Sequence, residues 1–198
     1  METDRGARDR LLDATLDVAS THGLSRLSMG DVAKRAGLSR QTLYKHFASR
    51  EELVSQTVLR EAGRLVEGAL AAADGVDDPL LALEGSIAEA LRQVRGHPLL
   101  DRLVATEPEA LLPLLIDGDS QVIPAVDLIC RQMLEQRLPG LDDAAVRAAA
   151  DLLSRMLVSY SVRPPDATPE VVAHSLALAV VGALGLAPAP LEPTPTTP

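Results

Sequence analysis

The sequence predicts an all-α protein, with a three-helix head at the N-terminus continuing directly into a larger helical body. Three observations lead there. Runs rich in Val, Ile, Thr and Tyr are absent, while Leu, Ala, Glu and Arg dominate the periodic segments. Aromatic residues make up 2% of the chain, namely Tyr44, Phe47 and Tyr160, so the core must be built from aliphatic side chains. Serine stands three residues before an acidic side chain at Ser28/Asp31 and at Ser49/Glu52, the spacing of a capping box at a helix start. At 198 residues the chain is long enough for a sizeable core.

Residues 1–6 are expected to be loose. A first helix is expected over 7–22, with Leu12, Leu16 and Ala19 as its inner stripe, Leu11 and Val18 on the shoulders, and Gly23 ending it. Arg5, Arg8 and Arg10 oppose the helix dipole near its start. Two readings stay open for them: a solvated end, or contacts to phosphate. The second helix, 28–36, turns Val32 and Ala33 inward. Gly37 makes a sharp turn and Leu38 plugs the small core.

The third helix spans 39–47. Ser39 caps it, and Leu43 and Phe47 share one face. Arg40, Gln41, Thr42, Tyr44, Lys45 and His46 are left outside, and nearly all donate hydrogen bonds or carry positive charge. Arg and Lys neutralise phosphates, Gln and Thr reach base edges, and a Tyr hydroxyl suits a phosphate oxygen. Two short helices joined by a glycine turn, the second rich in donors, describe a helix-turn-helix.

A fourth helix over 50–73 has Leu53, Val54, Val58, Ala62, Leu65, Val66 and Leu70 on its apolar side, and is long enough to pass from head to body. Arg50 opposes the dipole at its start, which implies a specific partner; a phosphate gripped together with the helix N-terminus would serve. The segment 74–79 is the first strong break. Further helices are expected at 79–96, 98–106, 108–117, 119–138, 142–161 and 168–186, separated by Gly and Pro signals. Pro113 and Pro124 fall within two of these and should start, kink or end a turn. The proline-broken stretch 106–124 suits the mouth of a cavity. The domain reading is 1–48 for the head, 49–186 for the body and 187–198 for a disordered Pro/Thr-rich tail.

Net charge is −9, but residues 1–50 carry nine Lys/Arg against six Asp/Glu, a local +3 that leaves −12 for the remainder. A basic head on an acidic body fits site-specific docking on nucleic acid and excludes general coating of it. The single cysteine, Cys130, permits no internal disulfide and reads as a buried apolar thiol. No secretory leader pattern opens the chain, and the longest apolar run, 176–187, is too short to span a bilayer. The expected location is the cytoplasm.

The segment from Leu27 through Ala33, Ala36-Gly37 and Leu43-Tyr44-Lys45-His46-Phe47 to Ser49-Arg50-Glu51-Glu52-Leu53 closely resembles the TetR family of bacterial transcriptional repressors. The resemblance covers about the first quarter of the chain; the rest agrees in size and helical layout. It implies that a hydroxyl at Ser28 also touches phosphate, and that Ser39, Arg40, Gln41, Thr42, Tyr44, Lys45, His46 and Arg50 face the duplex. Gln41 departs from the small residue frequent at that place, so no operator sequence carries over. The resemblance further implies a homodimer through the last two helices, 142–161 and 168–186, acting on a palindromic operator as a ligand-released repressor.

The helix 168–186 is apolar on more than one side, as a helix shared between a core and a second subunit would be. The candidate cavity residues are Leu99, Leu103, Leu112, Leu115, Val122, Val126, Ile129, Met133, Leu157 and Tyr160. Their aliphatic character points to a hydrophobic, lipid-like effector, such as a fatty chain or an acyl thioester. Segment 97–103 resembles regulators that respond to lipid-like effectors. An enzyme is not expected: His22, His46, His97 and His174 are scattered, and no metal-ligand spacing, phosphate loop or nucleophile elbow occurs. No cofactor is implied. A helical interaction or small-molecule-binding protein without DNA binding remains the alternative.

Overall fold

The computed structural model describes residues 2–110 and 122–185. Every regular element among the described residues is a helix: α1 (Glu2–His22), α2 (Met29–Ala36), α3 (Arg40–His46), α4 (Arg50–Ala71), α5 (Pro79–Arg95), α6 (Pro98–Thr106), α7 (Val122–Arg137), α8 (Asp143–Val162) and α9 (Pro169–Ala183). The all-α expectation holds. The expected tail 187–198 and the breaks at Pro113 and Gly118 lie outside the described residues, and Pro124 stands in the first described turn of α7.

Local chemistry sets the helix starts. Ser28, Ser39 and Ser49 each accept the backbone N–H three residues on, at 3.2, 3.0 and 3.0 Å. Of the two predicted capping boxes, the second bends its return arm by one residue: Glu52 accepts the N–H of Ala48 at 2.7 Å. In the first, Asp31 accepts the Ser28 hydroxyl at 2.5 Å. Asp78 caps α5, whose first helical residue is Pro79, and Asp142 caps α8 by accepting two N–H groups. Gly37 ends α2 at φ 65°, with the amides of Gly37 and Leu38 returning to Lys34 and Ala33 carbonyls.

The apolar interior forms two clusters. The first lies under the head and contains Leu11, Val18, Val32, Leu43, Phe47 and Leu53. Leu99 and Leu103 of α6 belong to it too, so a body helix supplies part of the head's floor. The inner stripe of α1 is Leu11, Thr15 and Val18 together with Leu12, Ala14 and Ala19; Leu16 is only partly buried, a rotation of about one residue from the expected stripe. The second cluster fills the body with Leu83, Ile87, Leu134, Leu153, Ala173 and Val180. There α9 packs mainly on α5, and α7 on α8. Helix α4, 22 residues and about 33 Å long, runs from the first cluster to the second.

Polar ties join head and body. The carboxylate of Glu107, just after α6, is buried over the α1–α2 loop. It accepts the Ser25 N–H at 3.1 Å and the Ser25 hydroxyl at 2.8 Å. Burial by itself would raise its pKa, but the Ser25 hydroxyl, the Ser25 and Leu24 amides and the Arg102 charge outweigh it and hold the group below the usual glutamate range. On the other side of this loop the Arg50 guanidinium donates to the carbonyls of Leu27, at 3.0 Å, and Leu24.

Candidate nucleic-acid interface and cavity

Helices α2 and α3 bury Val32, Ala33, Ala36 and Leu43 in the head core. Phe47, the first residue past α3, is fully buried there as well. Leu43 and Phe47 being fixed inward decides what α3 shows outward. Arg40, Gln41, Tyr44 and Lys45 are exposed, Tyr44 to 54%, while Thr42 and His46 are half-buried. The Ser39 and Thr42 hydroxyls lie 2.8 Å apart and share a hydrogen bond. The Arg40 guanidinium lies against Gly30, over the start of α2, where a larger residue would displace it. Ser28 is exposed at the cap of α2.

Three arginines have internal work. Arg8 donates to Gln56 at 3.0 Å and sits 4.8 Å from the centroid of the Phe47 ring. Arg10 donates to the Ala36 carbonyl at 2.5 Å. Arg50, placed by sequence reasoning on a phosphate, is held by the loop carbonyls and lies 3.5 Å from Glu51. The conflict with the helix dipole that singled it out is therefore offset inside the head.

A cavity of about 170 Å³ lies between α4, α5, α6, α7 and α8. Leu99, Leu103, Val122, Val126, Ile129, Met133 and Leu157 line it. Tyr160 packs against the body core and is not on the wall; Leu112 and Leu115 lie outside the described residues. One whole side escaped the sequence reading: Val58, Ala62, Leu65 and Val66 of α4, with Ile87, Ala90, Leu91 and Val94 of α5. The spacing of Val58, Ala62 and Leu65 was the signal, since it puts them on one face. Cys130 is on the wall; burial, with the Asp127 charge, pushes its thiol up to about 12. Leu99 and Leu103 touch the cavity and the head core alike.

Polar groups on the wall are few. Glu61 accepts from Arg60, at 3.2 and 3.0 Å, and from Arg64, at 3.0 Å, through one oxygen; the other lies 3.6 Å from Nε2 of His97. The Ser161 hydroxyl donates to the Leu157 carbonyl at 2.7 Å. Nδ1 of His97 and the Ser86 hydroxyl are buried without a hydrogen-bond partner. Among the described residues no group of three His, Cys, Asp or Glu side chains could hold a metal ion, and no helix is long and apolar enough to cross a membrane.

Residues 11–57 match the family model described as bacterial regulatory proteins, tetR family, and residues 78–181 match that of the bacterial tetracyclin repressor C-terminal domain. The chain is similar to the HTH-type transcriptional regulator Rv1255c of Mycobacterium tuberculosis, 34% identical over 159 residues, covering 80% of this chain and 76% of that one. It is similar to the regulator AlkX of the same species, 29% identical over 169 residues, covering 84% and 80%. The crystal structure of the TetR family repressor AlkX from Dietzia sp. superposes with a TM-score of 0.72 at 26% identity, covering 90% of this chain and 95% of that one. The helix-turn-helix, the helical body behind it and these matches to both lead to one assignment: this chain belongs to the tetR family of bacterial regulatory proteins, DNA-binding transcriptional regulators and not enzymes.

Proposed function

We propose that this protein is a homodimeric repressor that binds a palindromic operator through α3 and is released by a hydrophobic small molecule held in the body cavity. One observation carries the reading: Leu99 and Leu103 of α6 are part of the cavity wall and of the head core at once. An occupant that shifts α6 must repack the floor beneath the reading helix, and so favours one head geometry over another. In this reading residues 1–48 read DNA, and residues 49–186 bind the effector and dimerise.

Ser28, Ser39, Arg40, Thr42, Tyr44, Lys45 and His46 supply phosphate contacts, and Gln41 reads a base edge. Arg50 contributes by fixing the head. The dimer forms through the outer sides of α8 and α9, where Leu152, Val171, Leu178, Ala179, Gly182 and Ala183 are exposed. Apolar side chains exposed along the last two helices fit a self-complementary two-fold contact. It would set two α3 helices about 34 Å apart, one helical turn of DNA. The apolar cavity wall supports the hydrophobic effector, and the Dietzia AlkX repressor is described as implicated in biodegradation of n-alkanes.

The test is fluorescence anisotropy on the gene's own upstream duplex against a scrambled duplex, with sedimentation of the free protein. Preferential binding by a dimer is expected. Equal affinity for both duplexes, or a monomer at micromolar concentration, would overturn the proposal.

A further inference from the structure

We infer that the effector is un-ionised where it is buried: a slender apolar chain with a neutral terminus, so that a carboxylic acid enters only in its protonated form. The inference rests on the reading of the cavity as the effector site. Size comes first. A space of about 170 Å³ admits one slender apolar chain. A bulky phosphorylated carrier does not fit within it.

Charge decides the rest. Among the described residues no Lys or Arg is on the wall. Helix α4 contributes one acid, Glu61; His97 stands ahead of α6; α7 contributes Cys130, whose thiol burial keeps protonated; α5 and α8 contribute only the hydroxyls of Ser86 and Ser161. The two arginines bonded to Glu61, Arg60 and Arg64, are also paired with Asp13, at 2.8 and 3.5 Å. A buried carboxylate would meet no Lys or Arg among the described wall residues and would face the Glu61 charge. Burying an unpaired ion is so unfavourable that the group gives up its charge instead.

His97 narrows the class further. In the neutral imidazole, Nε2 facing the Glu61 carboxylate carries the proton and Nδ1 is left as an acceptor. Nδ1 is buried and unpartnered. A terminus with an O–H to donate, an alcohol or a protonated acid, has a place to bond that a thioester or an anion lacks.

The experiment titrates the full-length protein with decan-1-ol, methyl decanoate, decanoic acid and decanoyl-coenzyme A, by calorimetry at pH 7.5, 8.2 and 9. Decan-1-ol is expected to bind with one affinity across the range. Decanoic acid is expected to weaken about tenfold per pH unit, and at pH 8.2 to bind at least about a hundredfold more weakly than the alcohol. Glu61→Gln leaves Arg60 and Arg64 under-compensated and should narrow that acid-to-alcohol gap at least about tenfold. An acid affinity equal to the alcohol's and flat with pH, or tight binding of the coenzyme A thioester, would overturn the inference and leave the cavity as the effector site. Binding by none of the four would remove the effector site and the inference together.

Discussion

The carboxylate of Glu107 occupies the space that a β-carbon on Gly23 would need. Gly23 is held at φ 87°, a left-handed conformation that other residues rarely adopt, so its lack of a side chain is required twice. The contact ties the end of α1 to the end of α6, 84 residues further along the chain. Gly23→Ala should cost about 2 kcal/mol or more, from the backbone and from the displaced carboxylate. Glu107→Ala alone removes a buried acceptor of several N–H and O–H groups. The double variant should lose less than the sum of the two, because the second change removes the clash created by the first. Thermal melts of the four proteins measure the coupling.

Glu107 also gives a pH dependence. Its pKa in the folded protein is depressed, so its contribution is complete above the unfolded-state value and disappears as pH falls through the folded-state value. Glu107→Gln should lower Tm by roughly 4–8 °C at pH 7, for about 2 kcal/mol lost. The gap between wild type and variant should stay constant through the neutral range and close only on the acid side of the ordinary glutamate pKa. A gap that widened on acidification would contradict the assigned hydrogen bonds.

Arg50 and Lys45 should separate folding from binding. Arg50→Ala leaves the Leu27 carbonyl without its side-chain donor and the Leu24 carbonyl with only the Leu27 N–H, and should lower Tm by several degrees before any effect on DNA is considered. Arg50→Lys should recover only part, since an ammonium cannot reproduce the two-pronged donation. Lys45→Ala and Tyr44→Phe should leave Tm nearly unchanged while weakening duplex binding. For Lys45→Ala the slope of log K against log salt should shrink by about one. Gln41→Ala should alter base preference with the salt slope intact. Melting curves and anisotropy titrations at several salt concentrations provide both readouts.

Leu178→Arg places a charge among the exposed apolar side chains of α9 and should yield a monomer in sedimentation, with helical content retained, since the side chain is already 36% exposed in the single chain. Operator binding should fall with it, because one head alone forfeits the paired half-sites.

Cys130 should be slow to react with Ellman's reagent at pH 8, because its thiol is buried and carries a pKa of about 12. The rate should rise to that of a free thiol in denaturant. Decan-1-ol should slow it further, since Cys130 is on the cavity wall.

What could be read from the sequence follows from how local each signal is. The capping serines, Gly37 and the Leu43–Phe47 pair act over three or four residues, and the head was legible from them. Arg50 was legible as unusual, but its partners Leu24 and Leu27 lie in another loop, beyond the reach of any periodic pattern. The cavity shows the same limit. A period of 3.6 marks a buried face without telling packed from hollow, so Val58, Ala62 and Leu65 read as core while they border the open space. Tyr160, one turn from Leu157, packs against the body core instead of the wall, a rotation that depends on how α8 sits on α7.

The chain contains no tryptophan and only two tyrosines. Tyr44 stands in solvent on the reading helix, and Tyr160 is packed against the body core. Ultraviolet emission from this protein thus comes from two phenols, one beside each of its proposed binding events. Removing the first ring leaves Tyr160 as the one tyrosine, so that tyrosine emission from an unlabelled sample then follows the packing of the body core alone.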